Sequence, residues 1–248
     1  MEYLTLHNGR RMPALGLGTW DLRGQTCVET IPRALELGYR LIDTAQMYEN
    51  EREVGQGLRL AGLPREEVWV TTKIFRPDTT YAKAKAAIQR SLDQLALDYI
   101  DLLLIHEPYD TAEEMYVALE EAYQAGTLRA IGISNFHEAR YQTFLAGCQV
   151  VPMVNQVESH VYFLRKDLQR AMAAGEAQVS VRFADDAYVT ACASLLDGGE
   201  LSNVFQQAAQ RAGIEVAPLS SRKWAAAMGR PLPRWPCGTF CRTAWGWW

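Results

Sequence analysis

At 248 residues, 48% of them apolar, the chain can fill one sizeable core of the α/β-barrel or doubly wound size class, and its composition excludes wholesale disorder. A formal charge of −4 argues against general binding to nucleic acid or to an anionic membrane, while leaving room for a local basic pocket. Five cysteines, Cys27, Cys148, Cys192, Cys237 and Cys241, are odd in number and fall in no CxxC pair, which suits reduced thiols in a cytoplasmic protein.

The N-terminal MEYLTLHNGRRM lacks the apolar core of a signal peptide, and no stretch approaches the roughly 18 apolar residues of a membrane span. Two short strand-like runs within 3–12 flank Asn8-Gly9, a dipeptide that favours a type I′ turn and so predicts a hairpin. Short apolar runs then alternate with helical patterns. Strands are expected at 14–18, 39–43, 68–73, 100–106, 130–134 and 152–156, with helices near 26–37, 50–61, 81–97, 112–125, 137–147 and 165–174. In the helix at 81–97, Ala84, Ile88, Leu92 and Leu95 share one face. Runs such as IDLLLIH show little alternation, as expected of strands covered on both faces. Evenly spaced strand–helix repeats imply a parallel sheet with right-handed crossovers, and leave a closed barrel and an open doubly wound sheet both possible.

Polar residues close these apolar runs. Asp43 follows RLI, Lys73 follows VTT, His106 follows LLLI, Ser134-Asn135 follow IGI and Asn155-Gln156 follow PMV. Singly, Asp43 reads as a helix cap, Lys73 as a surface lysine and His106 as a core histidine. Together they match a parallel barrel, whose strand C-termini converge on one face and assemble a site from several strands. A lysine ending an apolar strand needs a carboxylate partner, and Asp43 is available on the neighbouring strand. An adjacent ammonium stabilises a phenolate and so makes a phenol such as Tyr48 a better proton donor, and His106 suits orienting a carbonyl. Lys73 alone would also serve Schiff-base chemistry, which leaves Tyr48 and the Ser134-Asn135 and Gln156 group unexplained.

GYRLIDTAQMYENEREVG resembles the first aldo-keto reductase signature. VTTKI, LDYIDLLLIHEP, AIGISNF and VNQVESH follow in that family's order, and LHNGRRMPALGLGTW resembles its N-terminus. The resemblance runs from about residue 3 to 172. It implies a TIM (β/α)8-type barrel with an N-terminal β-hairpin, reducing the carbonyl of a small aldehyde or ketone with NADPH, NADH being possible. In that scheme Tyr48 is the general acid, Asp43 and Lys73 tune it, and His106 positions the carbonyl. Ser134, Asn135 and Gln156 bind the nicotinamide carboxamide, and Gly18, Thr19 and Trp20 form the first loop over cofactor and substrate, Trp20 serving equally well as a packing residue. No metal is expected: His137 reads as a helix start, and Glu158 and His160 have no third ligand nearby. A monomer or weak oligomer in the cytoplasm fits.

One domain over 1–248 is expected, family-like over 1–174 and divergent over 175–248, with strands seven and eight incomplete or irregular. Three fragments compete for the seventh strand, 177–185, 188–196 and 214–221, and chain distance favours the first; none supplies the aromatic residue that the resemblance implies against the nicotinamide. Five of the seven tryptophans crowd the last segment, where Pro231, Pro233 and Pro236 preclude a long helix. A reading-frame shift is the hypothesis that would account for this, and the coding DNA would decide it. Codons chosen to encode Met228–Trp248, read from the third nucleotide, give GKTAAQVALRHLLQNGVGVV, which is similar to the family's last helix and eighth strand. A barrel lacking that strand would hold cofactor weakly, so the alternative is a catalytically impaired or inactive relative with a binding role or none.

Overall fold

The computed structural model describes residues 2–76, 79–158, 166–174 and 178–182, which belong to the compact unit Met1–Phe183. The eighth strand, the Trp-rich end and the frame-shift expectation lie outside the described residues.

Strands β1 (Tyr3–Thr5) and β2 (Arg11–Pro13) pair antiparallel with Leu4 opposite Met12. Their connection corrects the expected type I′ turn. Of Asn8 and Gly9 only Gly9 takes positive φ, at 80°. The Gly9 N–H donates to Leu6 O at 2.8 Å and the Leu6 N–H to Arg10 O at 2.9 Å. This is a three-residue loop in which a turn is followed by a left-handed glycine. Asn8 Oδ1 accepts from the Arg10 N–H, so the side chain braces the loop and its backbone need not enter the left-handed region.

The chain then runs β3 (Leu17–Gly18), α1 (Gly24–Glu36), β4 (Leu41–Asp43), α2 (Glu51–Ala61), β5 (Trp69–Ile74), α3 (Tyr81–Leu95), β6 (Leu102–Ile105), α4 (Ala112–Gln124), β7 (Ile131–Ser134), α5 (Glu138–Leu145), β8 (Val154–Glu158), α6 (Lys166–Ala174) and β9 (Gln178–Arg182). A 3-10 turn, Gln46–Tyr48, separates β4 from α2. Strands β3 to β9 form one sheet in sequential order, each parallel to the next. A doubly wound sheet reverses its strand order part-way, whereas a barrel adds strands in one direction, so the sequential order resolves the alternative in favour of the barrel. β9 falls inside the fragment favoured for the seventh strand.

Helix α3 buries the expected face, Ala84, Ile88, Leu92 and Leu95. Thr80 caps its start, accepting from the Lys83 N–H, and Ala96 ends it in the left-handed region at φ 53°. Period-two alternation sorts the strands between two cores. Ile42, Val70, Ile74, Leu103, Ile105, Ile131, Ile133 and Val157 face outward and pack with Ile31, Leu35, Val54, Leu92, Met115 and Phe144 of the helices. Trp69, Leu102, Leu104 and Val154 face inward and pack with Leu6 and Met12 of the hairpin. The hairpin thus seats at the end where the strands begin, and the residues that share the inward face further along each strand gather at the opposite end.

Candidate active site

Asp43, Lys73, Ser134 and Gln156 continue the inward alternation of Leu41, Leu104 and Val154, and His106 follows Leu104 by two residues. Lys73 is buried with every other residue of β5. Its side chain is 0% exposed, which overturns the surface-lysine reading. Nζ donates to Asp43 Oδ1 at 2.5 Å and to Thr44 O at 2.9 Å. The second Asp43 oxygen accepts from Gln156 Nε2 at 2.7 Å. A buried charge is tolerated only when paired and hydrogen-bonded, and both conditions hold.

Tyr48 ends the 3-10 turn, and Gln46 anchors that turn to α3 by donating to Ala87 O at 3.0 Å and Ser91 Oγ at 2.8 Å. Glu49 follows at φ 53°, turning the chain away immediately after the tyrosine. The buried Tyr48 ring lies with its centroid 5.2 Å from Lys73 Nζ and 6.0 Å from the His106 ring, the two rings at 76°. The His106 N–H donates to Ile74 O at 2.9 Å, fixing the residue against the end of β5. The four side chains expected to act together therefore meet at one end of the sheet. A second phenol, Tyr109, is pushed up to about 12 by burial while accepting from the Arg76 N–H, so it stays protonated at any physiological pH.

The remaining expected residues line the same end. Gly18 pairs with Asp43, and a Cβ there would meet nothing within 4 Å among the described residues. Thr19 is enclosed, both its N–H and its Oγ1 donating to Asp43 O. Trp20 is 45% exposed and stands edge-on to Tyr48, ring centroids 4.9 Å apart. Ser134 Oγ donates to Gln156 O at 2.9 Å. Asn135, at φ 65°, directs Nδ2 to His106 O at 3.1 Å and Glu107 Oε1 at 2.7 Å. Gln156 Oε1 is buried and has no hydrogen-bond partner among the described residues. With Nε2 held by Asp43, that oxygen suits an incoming N–H donor such as a carboxamide.

A sequence model described as the Aldo/keto reductase family matches residues 14–218. The chain belongs to the aldo/keto reductase family. Within it, the chain is 49% identical over 168 residues to the 9,11-endoperoxide prostaglandin H2 reductase of Trypanosoma cruzi, covering 67% of this chain and 59% of that one. It is 43% identical over 170 residues to the glyoxal reductase of Bacillus subtilis, covering 68% of this chain and 62% of that one. This aldo/keto reductase chain thus spans about three fifths of the length of these curated relatives. Among solved structures it is similar to an aldo/keto reductase from Brucella melitensis, with a TM-score of 0.70 and 32% identity over 72% of this chain and 70% of that one. It is also similar to MGS-M4, an aldo-keto reductase from a deep-sea metagenome, with a TM-score of 0.69 and 38% identity over 73% and 66% of the two chains.

Sequence reasoning missed the residues that hold this aldo/keto reductase site in shape: Thr44, Gln46, Asn50 and Glu51. Asn50 was legible only as the start of a helix. Glu51 is a buried carboxyl accepting from Thr72 Oγ1 at 2.6 Å, and burial raises it above the ordinary carboxylate range despite that bond. Among the described residues, no group of three His, Cys, Asp or Glu side chains could hold a metal ion, and no helix is long and apolar enough to cross a membrane.

Proposed function

We propose that this chain reduces aldehyde or ketone carbonyls of small molecules to alcohols with NADPH, Tyr48 serving as general acid. The observation that carries this reading is the convergence of Tyr48, His106 and the Lys73–Asp43 pair, with the Tyr48 ring centroid 5.2 Å from Lys73 Nζ. A bound reduced nicotinamide supplies hydride to the carbonyl carbon. Tyr48 gives its proton to the carbonyl oxygen, His106 orients that oxygen by a hydrogen bond, and Lys73 stabilises the phenolate left behind. Asp43 keeps Lys73 in place and offsets the desolvation of its charge. Gln156 Oε1, with Ser134 and Asn135 alongside, is the group that would hold the carboxamide of that cofactor. NADPH in preference to NADH, a cytoplasmic location and a monomeric or weakly associating state belong to this reading, on family likeness, thiol content and net charge.

Glyoxal suits as the first test substrate, since one relative is named a glyoxal reductase. Titration with NADPH is expected to quench tryptophan fluorescence, and adding glyoxal to oxidise the NADPH, followed by near-ultraviolet absorbance. Tyr48→Phe should bind NADPH as before and lose about 10²–10⁴-fold in turnover, the size of a general-acid contribution. Full turnover in the phenylalanine variant would refute the assigned acid.

A further inference from the structure

The loop after β3 carries Trp20 to the side of Tyr48, yet it has little regular backbone support. The Thr19 N–H reaches Asp43 O, the Leu22 N–H reaches Thr19 O at 3.1 Å, and Asp21 sits in the left-handed region at φ 61°. What fixes this loop is a side chain about thirty residues away. Asn50 is 0% exposed, and its Nδ2 donates to Thr19 O at 2.7 Å and to Leu22 O at 3.0 Å. Its Oδ1 accepts from Thr44 Oγ1 at 2.7 Å, and Thr44 O in turn holds the Lys73 ammonium at 2.9 Å.

The placement breaks a local rule. Asn50 occupies the N-cap of α2, where an asparagine ordinarily accepts from its own helix, and here it makes no side-chain capping bond. Only an amide can give two N–H groups to converging carbonyls and accept a hydroxyl at once; serine has one donor and aspartate none. Forgoing the cap is explained if the loop is what must be held.

We propose that Asn50 is a positioning residue: it clamps the 19–22 loop so that Trp20 stands edge-on to Tyr48, and through Trp20 it sets the width of the gap in which a carbonyl compound lies. The clause about the gap rests on the reductase reading, whereas the clamp does not. Trp20, 45% exposed and 4.9 Å from the Tyr48 ring, forms one wall of that gap. Bulky aromatic carbonyls, which touch the wall, depend on the clamp more than small ones.

Two measurements on the full chain separate the clamp from a general loss of stability. Hydrogen exchange in Asn50→Ser is expected to rise about tenfold at Thr19 and Leu22 while peptides from α3 and α4 stay as in the parent, since local opening releases only the unit it unlocks. Exchange that rises equally everywhere, or not at all in this loop, overturns the proposal. In turnover of 4-nitrobenzaldehyde, Asn50→Ser should lose about tenfold in kcat/KM, chiefly through KM, and the same substitution in a Trp20→Ala background should change it less than about twofold, as coupled residues do. An equal loss in both backgrounds overturns the assignment to Trp20. If Asn50→Ser does not fold, Thr44→Val removes the anchor on Oδ1 alone and should give a smaller shift of the same kind; no shift overturns the clamp. Absence of any turnover by the parent chain refutes the reductase reading, while the exchange data still decide the clamp.

Discussion

Removing the Asp43 carboxylate leaves the Lys73 ammonium, 0% exposed, with Thr44 O as its one hydrogen-bond partner among the described residues; removing the ammonium leaves a carboxylate that is 17% exposed and keeps Gln156 as donor. Breaking a buried pair costs about 3–5 kcal/mol. Asp43→Ala is expected to fall in that range and Lys73→Met clearly below it, as read from urea unfolding, and equal losses would contradict the asymmetry. Glu51 gives a pH signature. Burial raises its folded-state pKa, so its contribution to stability is full below the ordinary carboxylate value and is lost as pH rises through the raised one. Glu51→Gln keeps an acceptor for Thr72 Oγ1 without the charge, and should flatten the loss of Tm between weakly acidic and neutral pH; a profile parallel to the parent's would sink this account. Asp43, Lys73 and His106 were legible in the sequence because each is a polar residue closing an apolar run. Gln46 and Asn50 were not, because their partners lie 45 residues away at Ser91 and 31 away at Thr19, distances that no local pattern encodes.

The strands and helices were legible almost throughout, because apolar runs between helical patterns have few other solutions in a covered parallel sheet. Their ends were less so. The run expected to start at Ala14 enters the sheet only at Leu17, and that expected at Ile100 begins at Leu102, Ile100 contributing an isolated bridge to Leu128. The hairpin turn was misread because Asn-Gly suits two turn families and only the loop length separates them. Between β7 and β8 the strands approach so closely that a Cβ on Gly132 would lie 2.3 Å from Val154 O and 2.9 Å from Leu104 Cδ2. Gly132→Ala should therefore cost about 1–3 kcal/mol in unfolding free energy, the usual penalty of overpacking where backbone must move. An unchanged denaturation midpoint would show that this contact relaxes freely.

At the scale of the molecule, the order of strands decides what the elements alone could not. Seven parallel strands added in one direction, with a hairpin seated at the end where they begin, leave the other end for chemistry, and all the polar strand-closing residues lie there. Composition and charge set the class, motif order set the family, and the meeting of Tyr48, Lys73 and His106 depended on sheet register, which only the fold supplies. Everything turns on whether this meeting point protonates a carbonyl oxygen while a bound reduced nicotinamide gives hydride to the carbonyl carbon. The direct measurement is mass spectrometry of the alcohol formed from 4-nitrobenzaldehyde with NADPH carrying deuterium at both positions of C4 of the nicotinamide. One deuterium is expected at the carbinol carbon in the product of the parent chain, and a rate at least about a hundredfold lower for Tyr48→Phe. An unlabelled alcohol, or no alcohol from the parent chain at saturating cofactor, would contradict it.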